Sequence, residues 1–162
     1  MTFLNTSLIR KLTFFLAAAM LSVSAMAADF NQTQRLANQG DIDAQARLGA
    51  MYHQGEGVRQ DYSKAAQWFE KAANQGNADA QTMLGLTYYL GKGVRQDSVK
   101  AAQWYEKAAN QGDADAQYML GLMYAKGEGV RQNNVVAKEW FGKSCDNGNQ
   151  DGCDYYRLLN QK

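Results

Sequence analysis

The strongest constraint on this 162-residue chain is that it repeats itself every 36 residues. Gly40 to Gln75 aligned with Gly76 to Gln111 is identical at 24 of 36 positions, including Lys64-Ala65-Ala66-Gln67-Trp68 against Lys100-Ala101-Ala102-Gln103-Trp104. A third copy runs from Gly112 to Asn147. Leu48, Leu84 and Leu120 recur at this spacing, as do Gly49, Gly85 and Gly121, then Tyr52, Tyr88 and Tyr124, then Trp68, Trp104 and Trp140. A unit this short cannot bury an apolar stripe alone, so the copies must stack, each touching only its neighbours.

Inside one copy the periodicity is helical. Ala44, Leu48 and Tyr52 fall at i, i+4 and i+8, one face of a helix A. Asp41, Asn77 and Asp113 stand where an N-cap is needed, and Asp43, Asp79 and Asp115 add negative charge to the first turn. Gly55 and Gly57, with their repeats, supply the turn that follows. Helix B starts behind Asp61, Asp97 or Asn133 and runs through Ala65, Trp68 and Ala72 to Gly76 in the first copy. Each copy reads as a helix–turn–helix hairpin, and Gly49 with its repeats, mid-helix, predicts close helix–helix contact.

Outside the copies, 30–39 reads as a leading B-type helix and 150–160 as a capping A-type helix, so the repeats at about 40–75, 76–111 and 112–147 are flanked by half-units. Arg157 takes the glycine position in the cap. Residues 1–27 read as a cleaved secretory signal: Arg10 and Lys11, an apolar run from Leu12 to Val23, then Ala25-Met26-Ala27. The run is short for a bilayer-spanning helix, and the solenoid at 28–162 is expected to be periplasmic or secreted, with no stable membrane insertion. Seventeen basic residues against sixteen acidic give a net charge of +1, which becomes −1 when Arg10 and Lys11 leave with the signal. That balance excludes an electrostatic reader of nucleic acid.

The pattern AQxxLGxxYxxGxGVxQDxxKAxxWxxKAAxQG, read from Ala44 to Gly76 and again from Ala80 to Gly112, resembles the Sel-1-like repeat family, a relative of the tetratricopeptide repeat. The resemblance implies an all-α fold, a right-handed superhelix of helix pairs that serves as a scaffold for a protein or peptide partner. Tetratricopeptide repeats usually end helix B with proline, and this chain contains none, which favours the Sel-1-like branch.

Cys145 and Cys153 replace Ala109 and Gln117 of the previous copy, at the end of the last helix B and the start of the cap. In an exported chain such a pair reads as a structural disulfide. Their spacing is similar to that of the cysteine-rich Sel-1-like proteins described as penicillin-binding β-lactamases, which implies an alternative function as a β-lactam-binding or β-lactam-hydrolysing protein.

Sequence motifs give no support to catalysis. Ser63, Ser98 and Ser144 do not begin a Ser-x-x-Lys motif, and His53, the one histidine, has no serine or cysteine placed beside it by the repeat. Gly55-Glu56-Gly57 and Gly91-Lys92-Gly93 end helices instead of opening them, so they are not phosphate cradles. No catalytic residue, metal site or cofactor is assigned. The periodic Trp68, Trp104 and Trp140, with Met83, Met119 and Met123, read as core. The copies differ instead at the outward positions of helix A: Ala46, Ala50 and His53, then Thr82, Leu86 and Tyr89, then Tyr118, Leu122 and Ala125. His53, Leu86, Tyr89, Leu90, Tyr118 and Leu122 are therefore the candidate partner-binding residues on the concave face.

Overall fold

The computed structural model describes residues 28–161, so the readings made for the first 27 residues lie outside it. The described chain is all helix and turn: α1 (28–38), α2 (Ile42–Gln54), α3 (Tyr62–Asn74), α4 (Ala78–Leu90), α5 (Ser98–Asn110), α6 (Ala114–Lys126), α7 (Asn134–Asp146) and α8 (Gln150–Asn160). From α2 to α8 each helix packs on the next in sequence, α1 meets α2 through Phe30 against Tyr52, and α2, α4, α6 and α8 form the A layer of a right-handed α-solenoid. The other four form the B layer.

The caps follow the side chains. Asp41, Asn77 and Asp113 accept hydrogen bonds from the amides of Ala44, Ala80 and Ala116 at 2.7 to 2.8 Å, and Asp61 and Asp97 do the same for Lys64 and Lys100 at 3.0 Å. Helices α2, α4 and α6 stop at Gly55, Gly91 and Gly127, whose φ angles of 77°, 69° and 75° disfavour any side chain. A Cβ on Gly93 or Gly129 would meet the backbone of the preceding B helix, at Tyr62 or Ser98, so the inter-helix loop stacks directly on the previous repeat.

The core repeats as well. Leu48, Leu84 and Leu120 are buried on the A side; Phe69, Tyr105 and Phe141 are buried on the B side. A Cβ on Gly49, Gly85 or Gly121 would lie 2.6, 2.9 or 2.7 Å from the facing aromatic ring, so the mid-helix glycine exists to admit that ring. This refines the sequence reading of the tryptophans as core. Trp68, Trp104 and Trp140 are half-buried flanks of the core, each with its ring face under the next-turn lysine, Lys71, Lys107 or Lys143, at 3.7 to 4.1 Å. The fully buried aromatic is the residue after each tryptophan. Both have the same period, so spacing alone cannot separate them.

A second ladder runs through buried glutamines. Gln45, Gln81 and Gln117 each donate from Nε2 to a carbonyl of the preceding B helix, at Ala37, Ala73 and Ala109, and each accepts from the end of the following one, at Gln75, Gln111 and Asn147. One amide thus ties three helices. At the last junction Cys153 occupies the glutamine position and Cys145 the alanine position, and they form the disulfide, with their Cα atoms 4.4 Å apart. Ser144 and Gly152 exchange size there as well: both alanines of the preceding junction, Ala108 and Ala116, are replaced, and Ser144 donates to the Ala114 carbonyl at 2.7 Å.

Candidate binding groove

Helices α2, α4 and α6 follow one another in the A layer, and the candidate groove runs across them, with the ring of Phe69 at its floor between α2 and α4. Between α2 and α4 the groove opens into a cavity of about 320 Å³. Ala46 and Ala50 of α2, Met83 of α4 and the ring of Phe69 give it an apolar floor; Asp43, Asp79 and Arg47 stand around it. The opening exists because two alanines face it. Their counterparts one and two copies on are Thr82 with Leu86, and Tyr118 with Leu122, all larger and half-buried.

The candidate residues are not one continuous strip. Leu86 and Tyr89 pack on the core of the second and third repeats, and the Tyr89 hydroxyl donates to Glu128 Oε2 at 2.7 Å. That bond, then burial and the Glu128 charge, raises the Tyr89 pKa above its ordinary 10. Tyr118 sits edge-on to Tyr155 of α8 at 5.7 Å and tilted against Phe141 at 5.9 Å, so it joins the groove to the capping helix. Burial, then the charges of Tyr155 and Asp151, raises its pKa as well. Leu90 is 48% exposed at the C-terminal end of α4, and Leu122 is half-buried.

His53 lies in the last turn of α2, edge-on to the Tyr62 ring at 5.2 Å. Partial burial and then the Lys92 ammonium hold its pKa below 6.5. Among the described residues no hydrogen bond joins His53 to a serine. Ser63 donates to the Gly93 carbonyl at 3.1 Å and Ser144 is fully buried. The outward positions of the A helices thus carry apolar side chains, phenol rings and carboxylates on one helical frame.

Three matches to the Sel1 repeat profile cover residues 42–77, 78–113 and 114–149, which is most of the described chain. The chain belongs to the Sel1 repeat family. Among solved structures, a Sel1 repeat protein from Oxalobacter formigenes is 39% identical, with a TM-score of 0.73 over 80% of this chain and 97% of that one. The protein c5321, a protective antigen of uropathogenic Escherichia coli strains with an SLR fold, is 40% identical with a TM-score of 0.75. The match covers 76% of this Sel1 repeat chain but only 26% of c5321. Helicobacter pylori cysteine rich protein B is 28% identical, with a TM-score of 0.63 over 78% of this chain and 96% of that one. No curated protein matches.

Within this Sel1 repeat chain the junctions between A helices are chemically unequal. Asn77 donates to Asp43 at 3.3 Å and Asn149 donates to Asp115 at 2.7 Å, linking successive helix starts. The middle junction has Asp113 at that position, and a carboxylate has no proton to give to Asp79. The second junction also carries the buried hydroxyls of Thr82 and Tyr105, neither with a hydrogen-bond partner among the described residues, where the first has Ala46 and Phe69. Burial drives the Tyr105 pKa far above 10. These differences sit at positions the 36-residue alignment marks as variable, but which of them meet across the groove depends on stacking.

Proposed function

We propose that the protein is an exported, non-enzymatic scaffold that holds a protein or peptide segment along its concave A-helix face. Residues 1–27 act as the signal, and the site of action is the periplasm or the cell exterior. The observation that carries the reading is the partition of variation: most buried positions, such as Ala44, Leu48 and Ala65 with their repeats, are kept from copy to copy, whereas the outward positions of α2, α4 and α6 change. Packing needs the former to be alike; recognition needs the latter to differ. His53, Leu86, Tyr89, Leu90, Tyr118 and Leu122 are the contact residues in this reading. The Cys145–Cys153 disulfide fits an extracytoplasmic chain.

The experiment is photo-cross-linking in cells, with a benzophenone side chain at Leu90 on the groove lip or at Gln67 on the exposed side of α3. Discrete adducts from position 90 and none from 67 are the expected result. Equal adducts from both would remove the groove from the function. The β-lactam reading rests on the cysteine pair, and it is separated by incubating the purified protein with a chromogenic cephalosporin. The scaffold reading expects no turnover.

A further inference from the structure

The cavity between α2 and α4 differs from a general apolar groove in its charge. Asp43 and Asp79 present two full negative charges at its edge, against about half a positive charge from each of the two helix N-termini they follow. The one cation in the wall, Arg47, is already held by Asp29 of α1 at 2.6 Å. Asp43 shares its charge with the Asn77 amide, whereas Asp79 has no hydrogen-bond or ion-pair partner among the described residues. The surplus is negative, and it sits over a floor of two alanines, a methionine and an aromatic ring.

We infer that this cavity takes a lysine or arginine side chain of the bound segment, its methylene stem on Ala46, Ala50, Phe69 and Met83 and its cationic head between Asp43 and Asp79. Long basic side chains combine these two properties, an apolar stem and a charged tip. An apolar side chain of equal length would leave Asp79 without a partner beneath the bound chain, and an acidic one would be repelled. The neighbouring positions show why the anchor is confined to one junction. Leu86 and Leu122 take up the space that Ala50 leaves. The groove therefore has one basic-residue pocket, near its N-terminal end, followed by bulkier apolar and phenolic steps. This assignment rests on the concave-face reading above and adds the chemistry of one anchor.

The test is an NMR titration of the 15N-labelled protein, residues 28–162, with acetyl-Gly-Lys-Gly-amide, its arginine counterpart, and the norleucine and glutamate versions. The expected result is shifts of the Asp43, Ala46, Ala50, Asp79 and Met83 amides with the lysine and arginine peptides. Binding should be at least five-fold weaker with norleucine, absent with glutamate, and weaker as NaCl rises from 50 to 500 mM. Asp79→Asn should weaken lysine-peptide binding by five-fold or more. Ala50→Leu, which copies the residue found at Leu86 and Leu122, should abolish it with the charges untouched. Norleucine binding as well as lysine, binding that survives Ala50→Leu, or shifts confined to other surfaces would overturn the assignment. A cross-linked partner that docks at Leu90 with no basic residue in the cavity would sink this anchor and leave the scaffold function standing.

Discussion

The interior junctions of the solenoid and its last junction solve one problem in two ways. In the interior, Gln45, Gln81 and Gln117 each tie an A helix to the B helices on both sides. At the end, the equivalent position is Cys153, bonded covalently to Cys145. The difference follows from the number of neighbours. Helix α2 buries six residues and α4 and α6 five each, whereas α8 buries Gly152 alone, since among the described residues no B helix packs on its far side. A hydrogen bond worth about 1 kcal/mol suffices where packing holds the helix; the last helix lacks that packing. The terminal helix is pinned by restricting the unfolded chain instead.

The largest contrast is expected at the repeated glycine. Gly85→Leu drives a side chain into the Tyr105 ring and should cost about 3 kcal/mol in urea unfolding. Arg157→Ala, at the same repeat position in α8, should stay within about 0.5 kcal/mol because no ring faces it and Arg157 only pairs with Asp154 on the surface. Equal costs at the two sites would mean that α8 is covered by something else.

Reducing the Cys145–Cys153 bond should remove about 2.5 kcal/mol from the terminal unit. Hydrogen exchange should show the loss concentrated in α8. The converse double variant, Ala73→Cys with Gln81→Cys, places the same eight-residue spacing at an interior junction and should oxidise spontaneously. Its net gain should be about 1 kcal/mol or less, since the two hydrogen bonds of Gln81 are given up. A gain as large as at the end would show that the interior glutamines contribute little.

The second junction offers two smaller tests. Tyr105→Phe restores the residue type of Phe69 and Phe141 and removes a buried hydroxyl without a partner, so stability should rise by about 1 kcal/mol. Asp113→Asn keeps the cap on Ala116 and supplies the missing donor to Asp79, and should raise stability by about 0.5 kcal/mol with a matching increase in melting temperature. The smallest effect belongs to His53. Its pKa is lower folded than unfolded, so protonation favours the unfolded chain. Stability should be flat above pH 6.5 and fall slightly below it, and His53→Gln should flatten that limb in melting curves taken across the range.

Much of this architecture was legible because a 36-residue period with helical spacing leaves one kind of solution. Leu48 and its repeats, the aspartate and asparagine caps, and Gly49 as a point of close contact were all read from position alone, and all hold in the structure. The tryptophans show where that reasoning stops. A period selects a residue every 36 positions but does not say whether it faces inward, and Trp68 and Phe69 are one step, about 100°, apart on the same helix. Gln45 and its repeats show the same limit, because a period does not say which carbonyls a polar side chain will reach.

Local and nearest-repeat interactions are therefore written into the chain directly: hairpins, caps, turns and the pairing of Cys145 with Cys153 all join residues close in sequence. The groove is different. Whether Ala46 and Ala50 leave a cavity, whether Tyr118 reaches Tyr155, and whether Asp79 finds a donor depend on residues 30 to 40 positions apart being brought side by side by the superhelix. Spacing states which residues vary; only stacking decides which of them share a surface, because that follows from the rotation between repeats and not from the order of residues within one.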